Sequence, residues 1–208
     1  AHAIDREGIV KALVQGESIV VNSLCFPSQF GCTQDVPTYD YNPEKAKKLL
    51  AEAGYPNGFE TPFLAYRNRD YAEAMINNLN AVGITAKFEY LKYAAFRDKV
   101  QSGGAPFNFG TWGSYSINDV SAITSHFQSG GKDDYSKDPE VIKQLGIGDT
   151  SVDANVRKAA YKAALSRISG EAFMFPLWSY NTWYAFSKDV DFNPTPDEIP
   201  RFFTAKWM

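Results

Sequence analysis

Residues 42–56 constrain this chain most, because they write both ends of one helix. Asn42 is a good N-cap, and Pro43 sits at the first helical position, where its missing N–H costs nothing. Glu44 lies in the first turn with Lys47 and Lys48 further along, so the charges suit the helix dipole. Ala46, Leu49, Leu50 and Ala53 recur at i, i+3, i+4 and i+7 and make one apolar face. Gly54 stops the helix and Pro56 prevents its resumption. These cues specify a well-capped surface helix and no function.

The same reading along the chain gives alternating elements without repeats. Asp5 caps a helix through about Val14 that Gly16 ends, and residues 17–41 read as irregular and turn-rich. Phe63–Tyr66 is a short strand after Pro62, and Asp70 caps a helix that buries Ala74, Leu79 and Val82. Ile84–Leu91 alternates with the period of a half-buried strand, Tyr93–Gln101 is a helix ending at Gly103-Gly104, and Phe107–Trp112 is a third strand. Asp138 and Asp153 open two more helices, to about Leu145 and Ile168, the second with Val156, Ala160, Ala163, Ala164 and Ile168 inside. Phe173–Trp178 and Thr182–Phe186 are aromatic and β-prone, and the tail from Asp191 has little periodicity. The expectation is one α/β domain over residues 1–208 with a meandering C-terminal end.

Composition excludes some classes. The 208 residues are 44% hydrophobic and 22% charged, ordinary for a globular domain. A net charge of −3 offers no broad basic surface for nucleic acid. No apolar run approaches the roughly eighteen residues of a membrane-spanning helix. Cys25 and Cys32 enclose a turn-rich run that either closes as a disulfide or leaves two reduced thiols; zinc lacks a second Cys pair, and His2 and His126 are remote in sequence. A docking or regulatory module without a small ligand is one alternative, and a hydrolase acting on a peptide or glycoconjugate is the rival class: Ser125, His126 and Asp119 are triad types, yet no Gly-x-Ser-x-Gly elbow frames a nucleophile, and His126 reads as a surface residue. Asp133 and Asp134 read as a solvated turn, and no phosphate-cradling loop is present. No catalytic residue, metal or cofactor is expected.

Four segments in order resemble the family 5 extracellular solute-binding proteins, the peptide and nickel-type receptors of ABC importers. Residues 1–16 are similar to its A-I-D-R-x-x-I-V helix, and Tyr41–Phe59 to its Y-[DN]-P-E-K-A-K-x-L-L-x-E-A-G-Y-x-x-G-F segment. Leu79–Ile84 looks like its L-x-x-x-G-I step, and Phe107–Gly113 like the strand leading to a Trp-containing ligand loop. The resemblance implies one lobe of a bilobal periplasmic-binding-protein-like fold (type II, cluster C). The other lobe and a secretion signal would lie upstream, and the C-terminal segment would return toward that lobe. It implies an extracytoplasmic, monomeric binding component that delivers a peptide-like or other small polar solute to membrane permease subunits. Export also favours the Cys25–Cys32 bridge.

Candidate ligand contacts follow from that loop. Residues 112–119 combine an aromatic plate, a glycine and hydrogen-bonding side chains, a composition that suits recognition. Read without the resemblance, Trp112 can equally fill core space while Ser116, Asn118 or Asp119 caps the next helix. The resemblance places Trp112 beside ligand, with Gly113, Ser114 and Tyr115 around it. Tyr93 matches an aromatic that faces the cleft, and Arg67 offers a planar fork for a carboxylate. Peptide-binding members usually carry an aspartate three residues after that tryptophan, paired with the ligand's α-ammonium, where this chain has Tyr115. A neutral phenol cannot compensate a buried ammonium, so a modified peptide, sugar conjugate or opine-like ligand becomes credible. Asp119 lies four residues further and would need a different loop shape to substitute.

Overall fold

The computed structural model describes residues 1–113, 117–195 and 199–208. Asp5 Oδ1 accepts from the Gly8 amide (2.9 Å) and opens α1 (Arg6–Ile9), which widens into a π-turn over Val10–Val14. Gln15 and Gly16, at φ 62° and 67°, then end it. The irregular stretch that follows is pinned by buried Arg6, which donates to the carbonyls of Val21, Tyr39 and Pro176. α2 (Pro43–Glu52) has the expected cap, Asn42 Oδ1 accepting from the Lys45 amide at 2.9 Å. Its apolar stripe is narrower than expected. Ala46 is buried and Leu50 packs on the core, whereas Leu49 and Ala53 are exposed because the helix rests on the body along one line.

The sheet is parallel. β1 (Phe59–Ala65) pairs with β2 (Ile84–Tyr90) from Phe59↔Ile84 to Ala65↔Tyr90, and with β3 (Asn108–Phe109) at Leu64 and Ala65, giving the order β2-β1-β3. β1 starts four residues earlier than expected and contains Pro62. β3 reaches only Leu64 and Ala65, so β1 has an open side at Pro62, where a residue without an N–H is tolerated. β3 is shorter than expected because β1 ends at Ala65 and leaves residues 110–112 nothing to pair with.

Strand alternation sends β1 side chains to two layers. Phe63 and Ala65 pack under α3 (Arg69–Ala81) with Tyr71, Ala72, Met75 and Leu79. Leu64, between them in sequence, faces α4 (Tyr93–Gln101) with Phe96, Val100 and Ala105. The cap of α3 is Asn68, at φ 50°, and Asp70 sits in the first turn instead.

A second core joins α5 (Ser121–Phe127), α6 (Pro139–Thr150) and α7 (Ala154–Gly170) to the loop closed by the Cys25–Cys32 disulfide. α7 buries Ala160, Tyr161, Ala164, Leu165, Ile168 and Ser169, whereas the expected Val156 and Ala163 are exposed. Tyr161 takes over because its fully buried ring lies on Gly148 of α6, where an added Cβ would come within 2.5 Å of it.

Neither aromatic run near the C-terminus forms a strand. Residues 175–178 pack on the core with one bridge, Val20 to Trp178, and Pro176 has no amide to extend it. β4 (Val190–Asp191) and β5 (Lys206–Trp207) pair antiparallel. No helix among the described residues is long and apolar enough to cross a membrane.

Candidate ligand-binding wall

Ligands of open parallel sheets lie beyond the carboxyl ends of the strands. Three connections meet there: residues after β1, the start of α4 after β2, and residues after β3. Tyr66 is their hub. Its ring lies 5.0 Å from that of Tyr93 and 4.8 Å from that of Phe96, and its hydroxyl is 3.1 Å from Thr111 Oγ1. An Arg67 guanidinium nitrogen donates to the same Thr111 hydroxyl at 2.9 Å, with the guanidinium 5.6 Å from the Tyr66 ring centre. Tyr93 is 58% exposed and Arg67 is also open to solvent. Beside them Tyr180, 37% exposed, donates to Asn68 Oδ1 (3.2 Å).

Trp112 follows Thr111 directly. Its indole N–H donates to the Ala122 carbonyl (3.2 Å), its ring stacks on His126 at 4.3 Å, and Phe127 meets it edge-on at 5.0 Å. It is half-buried, so part of the packing role and part of the exposed role expected of it coexist. Gly113 is half-buried next to it. Ser114 and Tyr115 lie outside the described residues, as does Ser116.

Just ahead of α5, whose N-cap is Val120, Asp119 accepts from the Ser121 amide (3.0 Å) and binds Arg157 at 2.7 Å, with the Tyr161 hydroxyl 3.2 Å away. Burial works to raise its pKa, but the hydrogen bonds from Ser121 and Arg157 prevail and hold it below the usual carboxylate range. Its charge is thus committed within the fold. The disulfide loop grips the same segment: the Phe30 amide donates to the Asn118 carbonyl and the Val120 amide to the Phe30 carbonyl, both at 3.0 Å.

Two expectations are corrected here. Asp133 and Asp134 do not form a solvated turn. The Asp133 side chain is 7% exposed and is bound by Arg97, whose hydrogen bond lowers its pKa, and buried Asp134 accepts from the Gly130 and Lys137 amides and the Ser136 hydroxyl. His126 is not a plain surface residue, since it lies against Trp112 and faces Asp133. The triad types do not assemble: Ser125 donates its hydroxyl back to the Ser121 carbonyl, and Asp119 is held by Arg157. No group of three or more metal-ligating side chains occurs among the described residues.

The sequence singles out Trp112, Gly113, Ser114, Tyr115, Tyr93 and Arg67 as ligand contacts; it does not mark Tyr66 or Thr111, and it marks His126 only as a triad residue type. Position offers the signal for Tyr66 and Thr111, since each sits within two residues of a strand's carboxyl end.

The model of the bacterial extracellular solute-binding proteins, family 5 Middle, matches residues 1–134. The chain belongs to this family. Among family 5 relatives, heme-binding protein A of Haemophilus influenzae is 45% identical over 62 residues, 30% of this chain and 11% of that protein. The dipeptide-binding protein of Escherichia coli is 36% identical over 107 residues, 45% of this chain and 20% of that protein. The solved structure of HbpA2 from Haemophilus parasuis superposes on the whole of this chain with a TM-score of 0.85 at 26% identity. The chain spans 43% of the HbpA2 chain, so the α/β fold is that of one part of a larger family 5 binding protein.

Proposed function

We propose that this chain forms one lobe, residues 1–208, of an extracytoplasmic solute-binding component of an ABC importer. The lobe contributes one wall of a cleft, and its C-terminal segment runs toward the other lobe. One observation carries the reading: Arg67, Tyr93 and Thr111 converge around Tyr66 at the carboxyl edge of the parallel sheet, and Trp112 follows Thr111 directly in the chain. That edge combines exposed aromatic area with a guanidinium and a few hydroxyls, the mixture that small polar solutes require. Trp112 stacks on the solute, Arg67 meets an acidic group, and Ser114 and Tyr115 add polar contacts. Closure of the two lobes would follow from tighter solute binding in the closed form.

The solute is peptide-like or otherwise small and polar, in keeping with dipeptide- and heme-binding relatives. An ordinary peptide N-terminus is disfavoured, because Tyr115 is neutral and Asp119 is neutralised by Arg157. The protein binds and releases its solute unchanged, acts as a monomer and hands the solute to permease subunits.

Calorimetric titration of the full-length protein with N-acylated dipeptides and with heme tests the reading. Saturable binding of either probe, with the probe recovered at unaltered mass, is expected. Cleavage of a bound dipeptide would overturn it.

A further inference from the structure

His126 lies under Trp112. The two rings are 4.3 Å apart and inclined by only 26°, and Phe127 closes the edge of both. His126 Nε2 lies 3.3 Å from Asp133 Oδ2, close enough for an ion pair but out of line for a hydrogen bond. Asp133 is held in turn from α4: Arg97 nitrogens lie 2.6 Å from Oδ1 and 2.8 Å from Oδ2, and Gln101 donates to Oδ2 at 3.4 Å. The charged groups facing the imidazole are thus Asp133, after α5, and Arg97 behind it on α4. α5 itself carries none besides His126. The chain of contacts returns to the site at both ends, because α4 begins with Tyr93 and Trp112 leads the loop.

We propose that His126 is a positioning residue for Trp112. It sets the plane that the indole presents to a solute, and holds it more firmly when the imidazole is protonated. The inference rests on the reading of Trp112 as a ligand contact. A neutral imidazole offers the indole a flat apolar floor and offers Asp133 little. Protonation makes Nε2–H⁺ the partner of the Asp133 carboxylate and puts a cation against the indole face, an arrangement the ring quadrupole favours. Arg97 already offsets much of the Asp133 charge, so the added proton tightens the stack without creating it. Stronger stacking in acid makes the solute grip stronger in acid.

The test is a pH titration of tryptophan emission in the full-length protein without ligand, for wild type, His126→Phe and Trp112→Phe. An imidazolium accepts an electron from an excited indole far better than a neutral imidazole does. Wild type should therefore lose emission in one sigmoidal step as pH falls. Both variants should lack the step, His126→Phe because the floor remains but cannot titrate. His126→Phe is chosen over alanine because it keeps the ring that Trp112 packs on. A step of equal size in Trp112→Phe, or one that survives His126→Phe, would overturn the proposal, as would no step in wild type. The readout needs no solute, so a protein that titrates as expected but binds neither dipeptide nor heme counts against the receptor reading and leaves the pairing intact.

Discussion

Gly148→Ala should destabilise the protein, although alanine is the better helix former. An added Cβ at Gly148 would lie 2.5 Å from Tyr161 Cε1 and 2.7 Å from Cδ1, against ordinary contact from 3.4 Å, so the ring must retreat by about 0.9 Å. It has nowhere to go. Another of its edges meets Gly31, where a Cβ would come within 2.4 Å, and its hydroxyl donates to Asp149 at 2.8 Å while accepting from Arg157 at 3.0 Å. Overpacking of such a core costs about 1–3 kcal/mol. The Gly to Ala gain within a helix returns about 1 kcal/mol. Because the ring is held on both sides, the cost falls in the upper part of that range, about 2–3 kcal/mol, which leaves a net loss of about 1–2 kcal/mol, or a Tm lower by about 2–8 °C in a chain of this size. Gly146 supplies the control, since it is exposed in the same helix and a Cβ there would meet nothing within 4 Å. Gly146→Ala should raise the midpoint of a guanidinium transition followed by circular dichroism, and Gly148→Ala should lower it. Equal shifts of the same sign would refute the close-packing account of Tyr161.

Asp138 caps α6 and receives two nitrogens of Arg167 at 2.8 and 2.7 Å, and this pairing, with the Val141 amide, lowers its pKa to about 2. A depressed carboxyl stabilises the fold fully above its unfolded pKa near 4 and loses that contribution as pH falls through about 2. The Tm difference between wild type and Asp138→Asn should therefore shrink steadily from pH 5 to pH 2, as read by calorimetry. Replacing Cys25 and Cys32 by Ser removes an eight-residue closed loop and should cost about 2.5 kcal/mol in the chain-entropy account. In that double variant the Phe30 and Val120 amides, which bridge the disulfide loop to the segment after Trp112, should exchange with deuterium sooner than those of α7.

Local chemistry was legible, and tertiary choices were not. Asn42, Asp138 and Asp153 are caps in the structure because capping depends on three or four neighbouring residues only. Pro62 hid the start of β1, since its tolerance depends on how far β3 extends, which sequence does not state. The buried side of α7 was misjudged because Tyr161 needs Gly148, on another helix, to fit. The same division runs through the site. Trp112 and Tyr93 stand out by residue type and family pattern, and Arg67 by its guanidinium and its place after the first strand. The grouping of Tyr66 with Thr111, and of His126 with Trp112, exists only once three strand ends and α5 are packed together. Asp133 looked solvated because its neighbours in sequence are polar, while its partner Arg97 lies 36 residues away.

Native mass spectrometry of the full-length protein, purified gently from its own host, tests the central claim most directly. The account predicts a retained small molecule whose mass disappears from the spectrum of Trp112→Ala while the protein stays folded. A molecule retained equally by wild type and variant, or none after exposure to host medium and metabolite extract, would contradict a ligand wall built on Trp112.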